Sequence, residues 1–397
     1  MDILQNELQT HPQICFRQRW ELTPDVHFML GQGAAIVRSL MYLPLSPEIR
    51  EQMLRVSLVK GAMSTTAIEG NTLSEEEVAA IQRGDADIPP SRKYQEREVK
   101  NVLDALNAVR EDVVGNRLAP PVTSELVRAL HAQIGKDLGP EFQAVPGQFR
   151  PHEVTVGAYR PPDHRAVPAM MDRLCAWLRD FFAFAPDAPR DFRATVVEAI
   201  VAHVYLVWIH PFGDGNGRTA RLLEFFILLR GGFPDICSHI LSNHYNSTRP
   251  EYYRHLAEAG RTGDLSGFIA YAVTGLLDGL DATLGAAQRQ QIRYCWQSHV
   301  SSTLAASKLA AKPVARLRAF LESLDPFAAF KPRTLLQTSP KAAFLYARLS
   351  SATLVRDLDY LVGARLLEKR PDDSYAPNLS AIVPRLPAPH AIRPAAG

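Results

Sequence analysis

One short segment of the chain combines a base, a carboxylate, a glycine-rich turn and two arginines. It runs from His210 to Arg221 and reads HPFGDGNGRTAR. A histidine near its ordinary pKa of about 6.5 can take a proton from a hydroxyl at neutral pH, which is the role of a general base. Glycines let backbone N–H groups converge on an anion, and a helix that begins beside them adds partial positive charge. The segment therefore predicts a phosphate-binding site next to His210.

The residues that follow the histidine fit a polyphosphate. Asp214 lies at the tip of the loop, and a lone carboxylate beside phosphate-binding backbone is a common ligand of Mg²⁺. The predicted anion cradle consists of Gly215, Asn216 and Gly217. Arg218 and Arg221 follow on one face of the next helix, where two cations are unfavourable unless an anion compensates them. The pattern favours a bound polyphosphate over an ordinary capped helix.

Helical elements are expected to position these residues. Apolar residues recur at spacings of three and four over much of the chain, so an all-α fold is predicted. The helix from Ala194 to Ile209 is apolar nearly all round, which is typical of the centre of a bundle, and Pro211 ends it beside His210. An alternating stretch from Val154 to Tyr159 predicts a small β-hairpin.

Composition and charge exclude several classes of protein. The 397 residues are 46% hydrophobic with a net charge of +2, so nothing attracts the whole chain to nucleic acid or to an anionic membrane. The chain has no signal-like start and no uninterrupted apolar run of membrane-spanning length, so no membrane association is expected. The four cysteines lie far apart: Cys15, Cys175, Cys237 and Cys295. Reduced cysteines and a cytoplasmic location are expected.

The C-terminal part has its own pattern of elements. Helices are predicted at 314–324, after Thr334 and at 351–362, followed by a strand pair from Leu366 to Pro377, an order that suggests a winged helix. Residues 301–380 carry 12 Lys and Arg against 7 Asp and Glu. The third helix, however, places Arg356 beside Asp357 and Asp359. This charge distribution favours docking to a protein over binding to duplex DNA.

The segment that begins at His210 resembles the signature of the Fic (filamentation induced by cAMP) family, HPFx[D/E]GNGRxxR, at every fixed position. The resemblance extends over roughly residues 20–285 and implies a Fic-type helical bundle with a small flap. It also implies AMPylation, in which the AMP moiety of ATP moves to a Ser, Thr or Tyr hydroxyl of a protein, the chain itself included. ATP is then the co-substrate and Mg²⁺ the metal.

The family implies a role for each signature residue. His210 would deprotonate the hydroxyl, Asp214 would bind Mg²⁺, and Asn216 with the neighbouring amides of Gly215 and Gly217 would hold the phosphates. Arg218 and Arg221 would grip the phosphate tail. A second resemblance, to the inhibitory pattern [S/T]xxxE[G/N], lies upstream with Thr65, Glu69 and Gly70. It implies that Glu69 pairs with Arg221 and blocks the position of the γ-phosphate.

Two further regions resemble parts of the family at lower specificity. The stretch Val154, Thr155, Val156 and Gly157 is similar to the flap that pairs with the target strand. Tyr252 and Tyr253 are similar to the segment that lines the adenine pocket, although aromatic pairs on a helix are also common in cores.

The predicted domains follow from these patterns. They are an N-terminal helical region at 1–110 with an inhibitory helix at about 53–70, a Fic catalytic core at 111–285, a linker helix and winged-helix-like domain at 286–380, and a disordered tail at 381–397.

Several alternatives remain open. The same site could transfer another nucleotide or remove AMP from a modified protein. In a different class, the chain would be a winged-helix DNA-binding regulator with a nucleotide-sensing Fic core. A homodimer is implied by the family, but no heptad or apolar stripe in the sequence indicates it.

Overall fold

The chain divides into two compact units, Met1–Gly285 and Ala286–Gly397. The computed structural model describes residues 3–115, 120–182, 191–237 and 239–383. The helices of the first unit are α1 (Ile3–Thr10), α2 (Pro24–Tyr42), α3 (Pro47–Ala67), α4 (Glu75–Arg83), α5 (Lys93–Arg110), α6 (Ser124–Ile134), α7 (Val167–Phe181), α8 (Phe192–Ile209), α9 (Asn216–Arg230), α10 (Ile240–Ser247) and α11 (Arg249–Thr262). Helix α12 (Ser266–Ala305) begins in the first unit and ends in the second. The expected all-α class is confirmed.

Local sequence chemistry explains where the helices near the site begin. The Ser46 side chain accepts a hydrogen bond from the Ile49 N–H, and Pro47 occupies the first turn of α3. Helix α3 therefore begins about six residues before the predicted start and ends at Ala67 rather than at residue 70. Ser74 and Glu77 form a capping box at the start of α4.

The core of the first unit is built around α8 and α9, which pack against each other. Helix α8 is long and apolar enough to cross a membrane by length and composition, yet 78% of it is buried inside the fold, as in the core helix of a globular domain. Helices α3 and α5 pack against each other and both contact α9. This packing sets residues of α3 and α5 against the start of α9.

The predicted hairpin at 154–159 is shorter than expected. A single antiparallel bridge joins Val156 to Tyr159, with Gly157 at a positive φ of 58° in the turn. Pro161 and Pro162 follow directly and lack the N–H groups that a longer ladder needs.

The second unit has its own core. Its helices after α12 are α13 (Ala311–Glu322), α14 (Pro332–Thr338), α15 (Pro340–Tyr346) and α16 (Ser351–Gly363). Strands β1 (Leu367–Lys369) and β2 (Tyr375–Pro377) form an antiparallel hairpin, and Phe330 bridges to Tyr375. The order of elements is that of the predicted winged helix, which remains a prediction. The predicted tail from 384 onwards lies outside the described residues.

One charge on α16 differs from its predicted placement. Asp357 is buried and accepts hydrogen bonds from Arg316 (2.8 and 3.0 Å) and from the Tyr346 hydroxyl (2.9 Å). It stabilises the core of the unit and does not oppose Arg356 on the surface. The repulsion of DNA by this helix is therefore weaker than the sequence suggested, since Asp359 alone of the two aspartates is exposed.

Candidate active site

His210 ends α8 in a fixed orientation. Its backbone is left-handed (φ 50°, ψ 60°), and its N–H closes the helix on the Leu206 carbonyl. The ring Nδ1 lies 3.3 Å from the Val207 carbonyl oxygen, which can only accept. Nδ1 therefore carries the proton and Nε2 keeps its lone pair. Burial, with the positive charge of Arg150 adding to it, lowers the pKa of His210 to about 4, so the ring is a neutral base at pH 7.

The loop after His210 is held by buried side chains. The Asn216 amide accepts a hydrogen bond from the Phe212 N–H and donates one to the Phe212 carbonyl, both at 2.9 Å. The Phe212 ring stacks on His131 with centroids 3.7 Å apart. Because the Asn216 side chain is used in this way, its contribution toward an anion is its backbone N–H at the start of α9.

Two residues for which the sequence indicated no contact with this loop also hold it. The Gly147 N–H donates to His131 Nδ1, so His131 Nε2 carries the proton and donates to the Asp214 carbonyl at 3.0 Å. Burial lowers the pKa of His131 to about 4, which keeps it neutral. Arg150 donates to the His210 carbonyl at 2.8 Å and also to the Pro162 carbonyl, and so ties the flap to the loop.

The glycines leave the start of α9 without a capping side chain. Gly215 is its N-cap at a φ of 76°, and no side chain caps the helix. A Cβ on Gly217 would lie 2.3 Å from Glu69 Oε1, so glycine is needed for the carboxylate to approach. An anion can therefore come close to the first amides of α9.

Arg221 is buried and is held by the end of α3. Its Nη2 lies 2.6 Å from Glu69 Oε1 and 2.8 Å from the Thr65 carbonyl, and its Nε donates to Thr65 Oγ1 at 2.6 Å. Burial alone would raise the pKa of Glu69, but the charge and hydrogen bond of Arg221 outweigh burial and hold that pKa below its usual range. Glu69 is therefore ionised at neutral pH, and the predicted pair Glu69–Arg221 is present in the fold.

Glu69 lies beyond the last residue of α3, in a turn rather than in the helix. Its N–H bonds to the Thr66 carbonyl, and Gly70 follows at a φ of 99°. The Glu69 side chain is 32% exposed. About a third of the side chain thus faces water, while its carboxylate is turned inward to Arg221.

Arg218 is buried between two other carboxylates. Its Nη1 donates to Glu98 Oε1 in α5, and its Nη2 donates to Asp214 Oδ1 at 2.8 Å. Burial would lower the pKa of Arg218, but Glu98 and Asp214 outweigh it and raise that pKa. Sequence reasoning missed Glu98; its one signal was its place four residues before Val102, on the apolar face of α5.

Asp214 fits a metal that is bound mostly by other groups. Its carboxylate is one-third exposed beside the start of α9 and accepts from Arg218 and from the Gly215 N–H. One such carboxylate suits Mg²⁺, which keeps several waters and binds phosphate oxygens. Among the described residues, three metal-ligand side chains gather elsewhere, at Glu153, Asp163 and His164, with donor atoms within 4.8 Å of one another.

The two predicted pocket tyrosines lie on different sides of α11. Tyr252 is buried, stacks on Tyr245 at 4.8 Å and shares a hydrogen bond with His203 at 3.0 Å. It belongs to the core, as an aromatic pair on a helix often does. Tyr253 is exposed, and its hydroxyl lies 3.4 Å from the Ile68 carbonyl, beside the turn that carries Glu69.

Comparison with known proteins shows which family model matches the part of the chain that carries this site. Residues 121–228 match the model of the Fic/DOC family. Over 220 residues the chain is 31% identical to protein adenylyltransferase fic-1 of Caenorhabditis briggsae, covering 55% of this chain and 40% of that protein. It is 30% identical over 222 residues to protein adenylyltransferase Fic of Nematostella vectensis, covering 55% and 47%. The chain thus spans less than half the length of these curated relatives.

Solved structures are similar over a longer range. Fic-1 of C. elegans superposes with a TM-score of 0.55 at 26% identity, covering 66% of this chain and 73% of that one. A Fic family protein of Desulfovibrio desulfuricans superposes with a TM-score of 0.56 at 20% identity, covering 91% and 98%, which shows a shared fold. The family expected from the signature is confirmed. Residues 121–228 of the chain are a domain of the Fic/DOC family.

Proposed function

We propose that this chain is a protein adenylyltransferase that Glu69 holds inactive. The observation that carries the proposal is the Glu69–Arg221 pair at 2.6 Å, next to a neutral His210 and the uncapped start of α9. The names of the curated relatives support the reaction class.

The proposed reaction transfers AMP from ATP to a side-chain hydroxyl of a protein. His210 Nε2 takes the hydroxyl proton, the hydroxyl oxygen forms a bond to the α-phosphorus, and the bond from that phosphorus to the pyrophosphate oxygen breaks. Backbone N–H groups of Asn216 and Gly217 and the positive charge of Arg221 stabilise the negative charge that builds on the phosphates. Mg²⁺ held by Asp214 would add charge neutralisation on the leaving pyrophosphate.

The proposed restraint acts on Arg221. In the present fold its Nε and Nη2 donors are engaged with Thr65 and Glu69, and the Glu69 carboxylate neutralises the charge that a γ-phosphate would need. A charge-assisted pair of this kind contributes about 1.5–3 kcal/mol, which corresponds to about 10- to 100-fold in the population of the free arginine. Loss of the Glu69 carboxylate should raise activity by that order.

Label transfer tests both parts of the proposal. The wild type, Glu69→Gly and Glu69→Gly/His210→Ala are incubated with Mg²⁺ and α-labelled ATP. We expect Glu69→Gly to incorporate about 10- to 100-fold more label than the wild type, and loss of His210 to reduce this by about 10²- to 10⁴-fold. His27→Ala, which changes an exposed histidine of α2, is the matched control in the same background.

The proposal is contradicted if Glu69→Gly incorporates no label or if incorporation survives the loss of His210. Incorporation from γ-labelled ATP would identify phosphoryl transfer instead of AMP transfer.

We further propose that the chain acts as a homodimer in the cytoplasm. The free cysteines among the described residues support a reducing compartment. Light scattering after size exclusion tests the dimer, and a monomeric mass would contradict it.

A further inference from the structure

Arg218 links Asp214 to a carboxylate that no part of the proposed reaction uses. Arg218 Nη2 holds Asp214 Oδ1 at 2.8 Å, and Arg218 Nη1 donates to Glu98 Oε1. We propose that Glu98 is a positioning residue that acts through Arg218 and keeps Asp214 available to the Mg²⁺-bound nucleotide. This inference rests on the proposed nucleotide site.

Glu98 is buried and held beside Arg218 by a second partner. It lies within α5, is 5% exposed, and its second oxygen accepts from Asn71 Nδ2 at 2.8 Å. Asn71 Nδ2 also donates to the Gln95 carbonyl at 3.1 Å. Both oxygens of Glu98 are therefore engaged, one by Arg218 of α9 and the other by Asn71, whose bond to the Gln95 carbonyl ties its side chain to α5. Glu98 is thus held beside Arg218.

The charges explain why this partner matters for Asp214. Arg218 is 4% exposed, and a buried cation strongly attracts any anion that lies beside it. With Glu98 present, two carboxylates share Arg218. Without the charge of Glu98, Asp214 alone would compensate Arg218 and would be pulled further into that pair. The Asp214 oxygens would then be less available to a metal. In metal sites generally, residues bonded to a ligand set its orientation and so affect metal affinity.

The helix that carries Arg218 provides a matched control. At its other end, Arg230 forms a buried pair with Glu198 at 2.5 Å. Glu198→Gln removes the same kind of charge from α8, where Glu198 faces Arg230, 12 positions along α9 from Arg218. It should lower stability without acting on Asp214.

Nucleotide binding tests the inference without a transfer reaction. In the Glu69→Gly protein, the affinity for a non-hydrolysable ATP analogue is measured by calorimetry with Mg²⁺ and with EDTA, for Glu98→Gln, Glu198→Gln, Arg218→Ala and Glu98→Gln/Arg218→Ala. We expect Glu98→Gln to weaken binding about 10-fold with Mg²⁺ and less than threefold with EDTA. Glu198→Gln should change both values less than twofold.

The double variant decides whether Glu98 acts through Arg218. In the Arg218→Ala background, Glu98→Gln should have no further effect on affinity. An additive effect would show that Glu98 acts independently, and an equal loss in Glu198→Gln would show general destabilisation; either result overturns the inference. If Glu98→Gln does not fold, Asn71→Ala replaces it, with a smaller loss in the same direction expected and no loss overturning the inference. Absence of nucleotide binding by Glu69→Gly itself would instead overturn the proposed function and this inference with it.

Discussion

Arg218 and Arg221 lie three residues apart on α9, and each is buried against a carboxylate from another part of the first unit. The two carboxylates are anchored differently. Glu69 lies in a turn beyond α3 and is 32% exposed, whereas Glu98 lies within α5 and has its second oxygen bound by Asn71. The same kind of ion pair can therefore serve as a removable restraint or as a permanent support, depending on how firmly the carboxylate is held.

The largest expected difference between the two ion pairs is in the free energy of unfolding that is lost when the arginine of each pair is replaced by alanine. Arg218→Ala leaves Glu98 buried without its cation, which should lower the free energy of unfolding by about 3–5 kcal/mol. Arg221→Ala leaves Glu69 free to turn into water, and a loss of about 1–2 kcal/mol is expected. Urea unfolding followed by circular dichroism measures both. Equal losses would show that anchoring does not distinguish the two pairs.

A second expected effect arises at His210, which lies near the Glu69 carboxylate. Burial sets its pKa to about 4, and Glu69 acts only to raise that value. Because the neutral ring is the base, kcat/KM of Glu69→Gly should stay level from about pH 8 down to about pH 5. The measurement is the initial rate of label transfer at limiting ATP. A profile that falls to half near pH 6.5 would mean that His210 has an ordinary pKa.

A smaller effect is expected from Thr65, the second partner of Arg221. Thr65→Val keeps the shape of the side chain but removes the acceptor of the Arg221 Nε–H. Glu69 remains, so the restraint should weaken by about 1 kcal/mol and label transfer should rise about fivefold. Thr66→Val is the control, because the Thr66 hydroxyl donates only within α3, to the Ala62 and Met63 carbonyls. A similar rise in Thr66→Val would assign the effect to α3 as a whole.

The smallest effect is expected from the turn that carries Glu69. Gly70 has a φ of 99°, and a Cβ there would meet no atom within 4 Å, so Gly70→Ala should cost about 1 kcal/mol of backbone strain and no clash. Gly84→Ala, at a φ of 81° with equally open space, should cost the same. Label transfer should rise only in Gly70→Ala, since only that turn places Glu69. Equal activity in the two variants would contradict a role of the turn in the restraint.

Local chemistry made part of the site predictable. Pro211 cannot continue a helix, so the end of α8 at His210 followed from the sequence. Gly215 supplies the left-handed N-cap of α9, and the glycine-rich run identified that helix start. Both features are set by residues adjacent in the sequence, so they could be predicted from it.

Other parts depended on long-range packing. Glu98 lies 120 positions before Arg218, and His131 lies 83 positions before Asp214. A charged residue on the apolar face of a helix does not show in the sequence which distant residue forms its ion pair. The burial of Tyr252 and of Asp357 was invisible for the same reason, since each is set by the helices that pack around it.

The sequence by itself determined the family, the all-α class and the presence of a base, a carboxylate, a cradle and two arginines in one segment, because the signature is local. The tertiary structure alone decided that His210 is neutral with a free Nε2, because burial and the Val207 carbonyl set its charge and tautomer. It also decided that one arginine has an exposed partner and the other a buried one, because α3 ends in a turn at the site while α5 crosses behind it as a continuous helix.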